Sequence, residues 1–103
     1  MLTFLKSLFS PQPKADFGAL IKQGATIIDV RSKGEYQGGH LKGSINIPLK
    51  NLADNLTKIK KDKPVITCCA SGARSGVAKS MLKANGYDVF NGGPWESLKK
   101  HCY

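Results

Sequence analysis

The chain predicts an α/β fold, a small, mostly parallel central sheet flanked by helices on both faces. Three observations carry this reading. Residues 25–30 and 65–69 are apolar runs of strand length, bounded by turn residues. Between them Leu49, Leu52, Leu56 and Ile59 recur at helical spacing. After the second run, residues 75–84 are compatible with a helix. Strands that alternate with helices build parallel sheets covered on both faces, and ligands on such sheets bind at the carboxyl ends of the strands.

Each element follows in order. Residues 1–9 place Leu2, Phe4, Leu5, Leu8 and Phe9 among few polar side chains, and predict a short helix docked on the domain. That run is too short to cross a membrane, and it lacks the basic flank and small-residue cleavage site of a secretory signal. Ser10-Pro11-Gln12-Pro13 breaks the chain. The expected organisation is therefore an N-terminal apolar segment with its Pro-containing linker, residues 1–13, and a domain, residues 14–103. Asp16 caps a short helix through Lys22 that ends at Gly24. Residues 25–30 form a buried strand and residues 32–43, with glycines at 34, 38, 39 and 43, a loop. Ile45-Asn46-Ile47 is a short strand stopped by Pro48, and residues 49–59 are helical. After the strand at 65–69, the helix at 75–84 turns Val77, Met81 and Leu82 toward the core and stops at Asn85-Gly86. Residues 87–90 form a strand, Asn91-Gly92-Gly93-Pro94 a turn, and residues 95–100 a closing helix.

At 103 residues the chain has room for one hydrophobic core. Its formal charge of +9 is consistent with anionic partners. The lysines are scattered apart from the stretch around Lys60 and Lys61, and no aromatic residues interleave with them, so nucleic acid is not expected as a partner. A membrane partner is not expected either, and the chain is read as cytoplasmic. Cys68, Cys69 and Cys102 make no C-x-x-C pair and no metal-ligand spacing, so neither a disulfide scaffold nor a metal is expected. On a strand, Cys68 and Cys69 face opposite ways, which leaves Cys68 for the core. Cys102, beside His101, can meet Cys69 only if the C-terminal tail folds over the loop.

Cys69-Ala70-Ser71-Gly72-Ala73-Arg74 joins the second strand to the helix. Small residues around Gly72 allow successive amides to turn inward as an anion-binding nest, and the helix aims its positive end at the same point. Such surroundings lower the pKa of a cysteine and favour the thiolate, the nucleophilic form. The alternative is a buried cysteine ending a core strand. Arginine usage favours function, because the chain has sixteen basic residues and only Arg31 and Arg74 are arginine. Arg74 closes the loop and Arg31 follows the first strand. A planar fork of donors at both places points to a geometric requirement that lysine cannot meet.

These residues resemble the rhodanese (thiosulfate sulfurtransferase) family in its single-domain form, over about residues 16–95. Asp29-Val30-Arg31, Glu35 and Gly39-His40-Leu41-Lys42-Gly43-Ser44-Ile45-Asn46-Ile47-Pro48 are similar to the family's Asp-Val-Arg…Glu…Gly-His-Ile-x-Gly-Ala-x-Asn-Ile-Pro pattern. Cys69-Ala70-Ser71-Gly72-Ala73-Arg74-Ser75 resembles its Cys-x-x-Gly-x-Arg-Ser loop, and Gly92-Gly93 its C-terminal double glycine. Trp95 stands closer to the double glycine than in the family's Gly-Gly-x-x-x-Trp.

The resemblance implies that Cys69 carries a persulfide, cradled by the amides of Ala70, Ser71, Gly72, Ala73 and Ser75, with Arg74 beside the leaving sulfite. Thiosulfate or a related donor, or a protein sulfur donor or acceptor, is the implied partner, and no cofactor is required. Asp29 and Arg31 are expected to form a structural ion pair, His40 to be a hydrogen-bonded scaffold residue, and Asn46 with Pro48 to shape a turn. Glu35 either binds loop amides or pairs with Arg31. A compact, accessible site is expected from the small Ala70 and Ser71. A cysteine phosphatase or arsenate reductase uses a loop one residue longer than the four here, Ala70 to Ala73. A non-catalytic interaction module commonly lacks the cysteine. Arg74, in place of the threonine that ends the loop of mercaptopyruvate-specific relatives, favours thiosulfate.

Overall fold

The computed structural model describes residues 15–103. The N-terminal apolar segment, its linker and the boundary expected after residue 13 lie outside the described residues. The side chain of Asp16 accepts a hydrogen bond from the Ala19 amide at 3.0 Å and opens helix α1, Phe17–Lys22. Strand β1, Thr26–Asp29, lies inside a four-stranded, fully parallel sheet in the order β2-β1-β3-β4. Its partners are β2, Ile45–Asn46, β3, Val65–Cys69, and β4, Val89–Pro94. Helix α3, Ala73–Ala84, makes the crossover from β3 to β4.

Alternation along the strands divides the core in two. Ile28, Val30, Val65 and Cys69 face one side, where Leu52, Ala78 and Leu82 cover them. Ile27, Ile66 and Cys68 face the other, under Leu41, Leu98 and the apolar side of α1. The adjacent cysteines therefore do point to opposite faces. Cys102 packs with the Cys68 cluster, so the tail does not fold over Cys69. Among the described residues no helix is long and apolar enough to cross a membrane.

Several local expectations are corrected. The stretch read as loop contains helix α2, Lys33–Gln37, because Ser32 and Glu35 form a reciprocal capping box. One satisfied helix start outweighs the flexibility of the surrounding glycines. The apolar spacing of residues 49–59 is delivered by two 3-10 segments, Leu49–Asn51 and Ala53–Lys58, with Asn55 at φ −123° and ψ 17° breaking the helical path. Tight turns still bring Leu52 fully into the core. Helix α3 begins at Ala73, ahead of the expected Ser75, and Val77 is 52 % exposed. Its buried line is Ser75, Ala78 and Leu82, at the three- and four-residue spacing of a helix face, which leaves Val77 on the solvent side. The closing segment is a 3-10 turn, Trp95–Leu98, followed by α4, Lys99–Cys102.

The stretch expected to turn at Asn91–Pro94 instead continues β4, whereas Tyr87 precedes the strand. Pairing with β3 carries it, with Asn91 opposite Thr67 and Pro94 opposite Cys69, and glycine is required where β3 and Leu98 close on the strand. A Cβ on Gly92 would lie 2.8 Å from Ile66 Cγ2, 2.8 Å from Leu98 Cδ1 and 2.9 Å from the Thr67 carbonyl oxygen. The carbonyl belongs to β3 and cannot step aside. Gly92→Ala is thus expected to destabilise the domain by about 1–3 kcal/mol, the usual cost of overpacking. Urea unfolding monitored by circular dichroism would read this as a lower midpoint with an unchanged slope.

Candidate active site

Strand β3 ends at Cys69 and α3 starts at Ala73, so the chain must reverse within a few residues. Gly72 makes the reversal at φ +104°, in the left-handed region where a side chain is strained. A Cβ there would also stand 3.4 Å from the Cα of Gly93, because the end of β4 packs directly on the loop. The result is that the loop folds back over its own cysteine. The Gly72 amide donates to Cys69 Sγ at 3.0 Å and the Ser75 amide at 3.4 Å, while Ser75 Oγ lies 3.3 Å from Sγ.

Burial pushes the Cys69 thiol up. Hydrogen bonds from the Ser75 hydroxyl and from the amides of Ser75, Gly72 and Ser71 push it down, and they prevail, so its pKa is below the ordinary thiol value. The N-terminal end of the twelve-residue α3 acts in the same sense. Across the sheet, burial pushes Cys68 up to about 12. Two adjacent cysteines thus differ in chemistry because a strand turns them to opposite environments.

Of the amides expected to form the cradle, those of Gly72 and Ser75 donate to Sγ, and that of Ser71 is turned toward it. The Ala73 amide lies 3.5 Å from Ser71 Oγ instead, and Ala70 and Ala73 are exposed. The expectation of an accessible site is corrected. Ala70 and Ser71 are exposed, yet Cys69 has 0 % exposure beneath them.

Arg74 does not point its fork at Cys69. Its two terminal nitrogens donate to the two carboxylate oxygens of Glu35 at 2.7 and 2.9 Å. Arg74, with help from the amide and hydroxyl of Ser32, holds Glu35 down to about 2. The Glu35 side chain therefore pairs with Arg74, and Arg31 meets only its backbone carbonyl, at 3.3 Å. Arg74 borders a cleft of about 990 Å³ that Tyr36, Asn46, Leu49 and Lys50 also line.

Asp29 and Arg31 form the expected ion pair. The Arg31 Nη2 to Asp29 Oδ2 distance is 2.8 Å, and the side chains are 5 % and 0 % exposed. Arg31 Nη2 also donates to the Gly39 carbonyl at 2.7 Å, and its guanidinium lies 4.7 Å from the centroid of the Trp95 ring. Trp95 thus roofs the ion pair. Asn46 Nδ2 donates to the carbonyls of Asp29 and Arg31 at 2.9 and 3.0 Å, tying β2 to the end of β1. His40 stacks on Tyr36 at 3.8 Å, with Nδ1 2.8 Å from the Tyr36 carbonyl, as a scaffold residue would.

Sequence reasoning missed Asn91. Its Oδ1 accepts from the Ser75 hydroxyl at 2.7 Å, placing it one hydrogen bond behind the contacts to Cys69. The only signal was a polar residue before a double glycine, and the expectation of a turn there concealed it.

Comparison with known proteins bears on this arrangement. The family model described as a rhodanese-like domain matches residues 14–93. The Bacillus subtilis (strain 168) protein YqhL is 45 % identical over 68 residues, covering 65 % of this chain and 54 % of YqhL. Thiosulfate sulfurtransferase GlpE of Pseudomonas fluorescens (strain SBW25) is 34 % identical over 86 residues, covering 82 % of this chain and 79 % of GlpE. The crystal structure of reduced Bacillus anthracis CoADR-RHD matches with a TM-score of 0.71 at 38 % identity, over 82 % of this chain and 15 % of that one.

Proposed function

We propose that this chain, which belongs to the rhodanese-like domain family, transfers a sulfane sulfur from thiosulfate or a related donor to a thiophilic acceptor through a persulfide on Cys69. The observation that carries this reading is a thiol held below its ordinary pKa by hydrogen bonds that converge on Sγ from Gly72 and Ser75. The Cys69 thiolate attacks the outer sulfur of thiosulfate. A bond forms between Sγ and that sulfur, the bond to the sulfite sulfur breaks, and sulfite leaves with the electron pair. The negative charge then rests on the outer sulfur of Cys69–S–S⁻, within reach of the loop amides. An acceptor thiolate, or cyanide in an assay, attacks the outer sulfur and returns the electron pair to Sγ. Two half-reactions through a covalent intermediate give ping-pong kinetics.

Arg74 serves this chemistry from the rim. Two of its N–H donors are occupied by Glu35, and the others remain for the departing sulfite. The pair with Glu35 anchors the first turn of α3 to α2. Relatives named thiosulfate sulfurtransferase support the choice of donor. The loop of four residues between Cys69 and Arg74 supports sulfur over a tetrahedral oxyanion.

Intact-mass measurement after incubation with thiosulfate tests the reading. One added sulfur atom, about 32 Da, mapped to Cys69 is the expected result. Sulfur mapped to Cys68 or Cys102, or no loading alongside rapid hydrolysis of p-nitrophenyl phosphate, would overturn it.

A further inference from the structure

The Ser75 hydroxyl has one proton and two acceptors within reach. Its oxygen lies 3.3 Å from Cys69 Sγ and 2.7 Å from Asn91 Oδ1. Asn91 is fixed in one orientation, since Nδ2 donates to the Gly72 carbonyl at 3.2 Å and Oδ1 accepts from the Gly93 amide at 2.9 Å. Turning the amide over would set NH₂ against the Gly93 N–H and oxygen against the Gly72 carbonyl, so Oδ1 is the atom offered to Ser75. The first turn of α3 makes room for it. A Cβ on Gly76 would stand 3.3 Å from Asn91 Nδ2, and the helix carries glycine there although glycine is a poor helix former.

We propose that Asn91 is a positioning residue for sulfur transfer, accepting the hydrogen bond of the Ser75 hydroxyl whenever Cys69 Sγ carries no negative charge and yielding that hydrogen bond to Sγ in the thiolate. The inference rests on Cys69 being the sulfur carrier. In the resting thiolate the Ser75 hydroxyl turns toward Sγ. When Sγ bonds to the sulfane sulfur and sulfite departs with the electron pair, the charge moves to the outer sulfur. Sγ is then a poor acceptor, and the hydroxyl turns to Asn91 Oδ1. When the acceptor removes the outer sulfur, Sγ recovers its electron pair and the hydroxyl turns back. No proton enters or leaves, because one O–H bond rotates between two acceptors.

The charged groups around Cys69 do not compete with this exchange near neutral pH. Arg74 on α3 is paired with Glu35 of α2, and Asp29 of β1 is paired with Arg31. Cys68 of β3 faces the opposite side of the sheet, and β4 contributes no titratable side chain.

The test is the pH dependence of Cys69 alkylation by iodoacetamide, with peptide mapping, in the full chain and in N91A, S75A, N91A/S75A, N91D and N91D/S75A. In N91A the Ser75 hydroxyl keeps Sγ as its sole acceptor, so the midpoint should fall by about half a unit to one unit, the net worth of one hydrogen bond. In the S75A background the same substitution should move the midpoint by less than half as much. N91D gives up the donor to the Gly72 carbonyl but keeps an oxygen behind Ser75; as a stronger acceptor it should raise the midpoint more with Ser75 present than in N91D/S75A, whereas its charge alone raises both equally. A residue that only braces the loop would shift the midpoint equally with and without Ser75, or raise it in N91A as Gly72 loosens. Either result, or an N91D rise no larger with Ser75 than without it, overturns the proposal. Alkylation reads the thiol whether or not it takes up sulfur, so failure here is distinct from failure of thiosulfate to load Cys69.

Discussion

Replacing Cys69 by serine is expected to reduce thiosulfate:cyanide sulfur transfer on the order of 10⁴-fold or more, to the background without a nucleophile. Serine is smaller by little and keeps an acceptor beneath the amides of Gly72 and Ser75, so the fold should survive. What it lacks is an ionisable thiol. The neighbouring substitution separates chemistry from packing. Cys68→Ser buries a hydroxyl in the cluster of Ile27, Ile66 and Leu98, at a cost of about 1–3 kcal/mol if it finds no partner. It should lower the unfolding midpoint and leave the turnover of folded protein intact. Steady-state rates with intact-mass readout of sulfur loading check both variants together. Retained transfer in Cys69→Ser would move the chemistry elsewhere in the chain.

Arg31→Met is expected to have the largest effect on stability. Asp29 is fully buried, and Arg31 meets it through Nε at 3.0 and 3.1 Å and Nη2 at 2.8 Å. Taking away one member of a buried pair leaves an uncompensated charge and costs about 3–5 kcal/mol. A domain whose total stability is of order 5–15 kcal/mol would be left marginal or unfolded at 37 °C. The same change frees the Gly39 carbonyl and removes the cation beneath Trp95. The double variant Asp29→Asn/Arg31→Met should recover part of the loss, because no buried charge remains. Thermal unfolding by circular dichroism distinguishes the outcomes. A single variant as stable as the parent would show that the pair is not what holds the ends of β1 and α2 in place.

Much of the architecture was legible because it depends on patterns local to the chain. Apolar runs of strand length, helical spacing after each, and small residues between Val65–Cys69 and the following helix are properties of consecutive residues. Opposite facing of Cys68 and Cys69 follows from strand periodicity alone, and the burial of each on its own face of the sheet agrees. The Ser32–Glu35 capping box was equally visible in the sequence. Glycine density around it suggested a loop, and only the satisfied hydrogen bonds at the start of α2 decide the matter.

Other features have no local cause. Glu35 and Arg74 are 39 residues apart, and their bidentate pair exists because the sheet order sets the loop after β3 beside α2. Asn91 reaches Ser75 and Gly72 because β4 runs parallel to β3 and ends against its loop. Gly92 tolerates no side chain because Ile66, Leu98 and Thr67 close on it from two elements. Patterns along the chain carry the alternation of strand and helix, the cysteine at the end of β3 and the glycine that lets the loop turn back. Tertiary packing alone decided which partners bind Arg74, what stands behind Ser75 and why Cys69 is covered, since each depends on distances between segments that no spacing along the chain encodes.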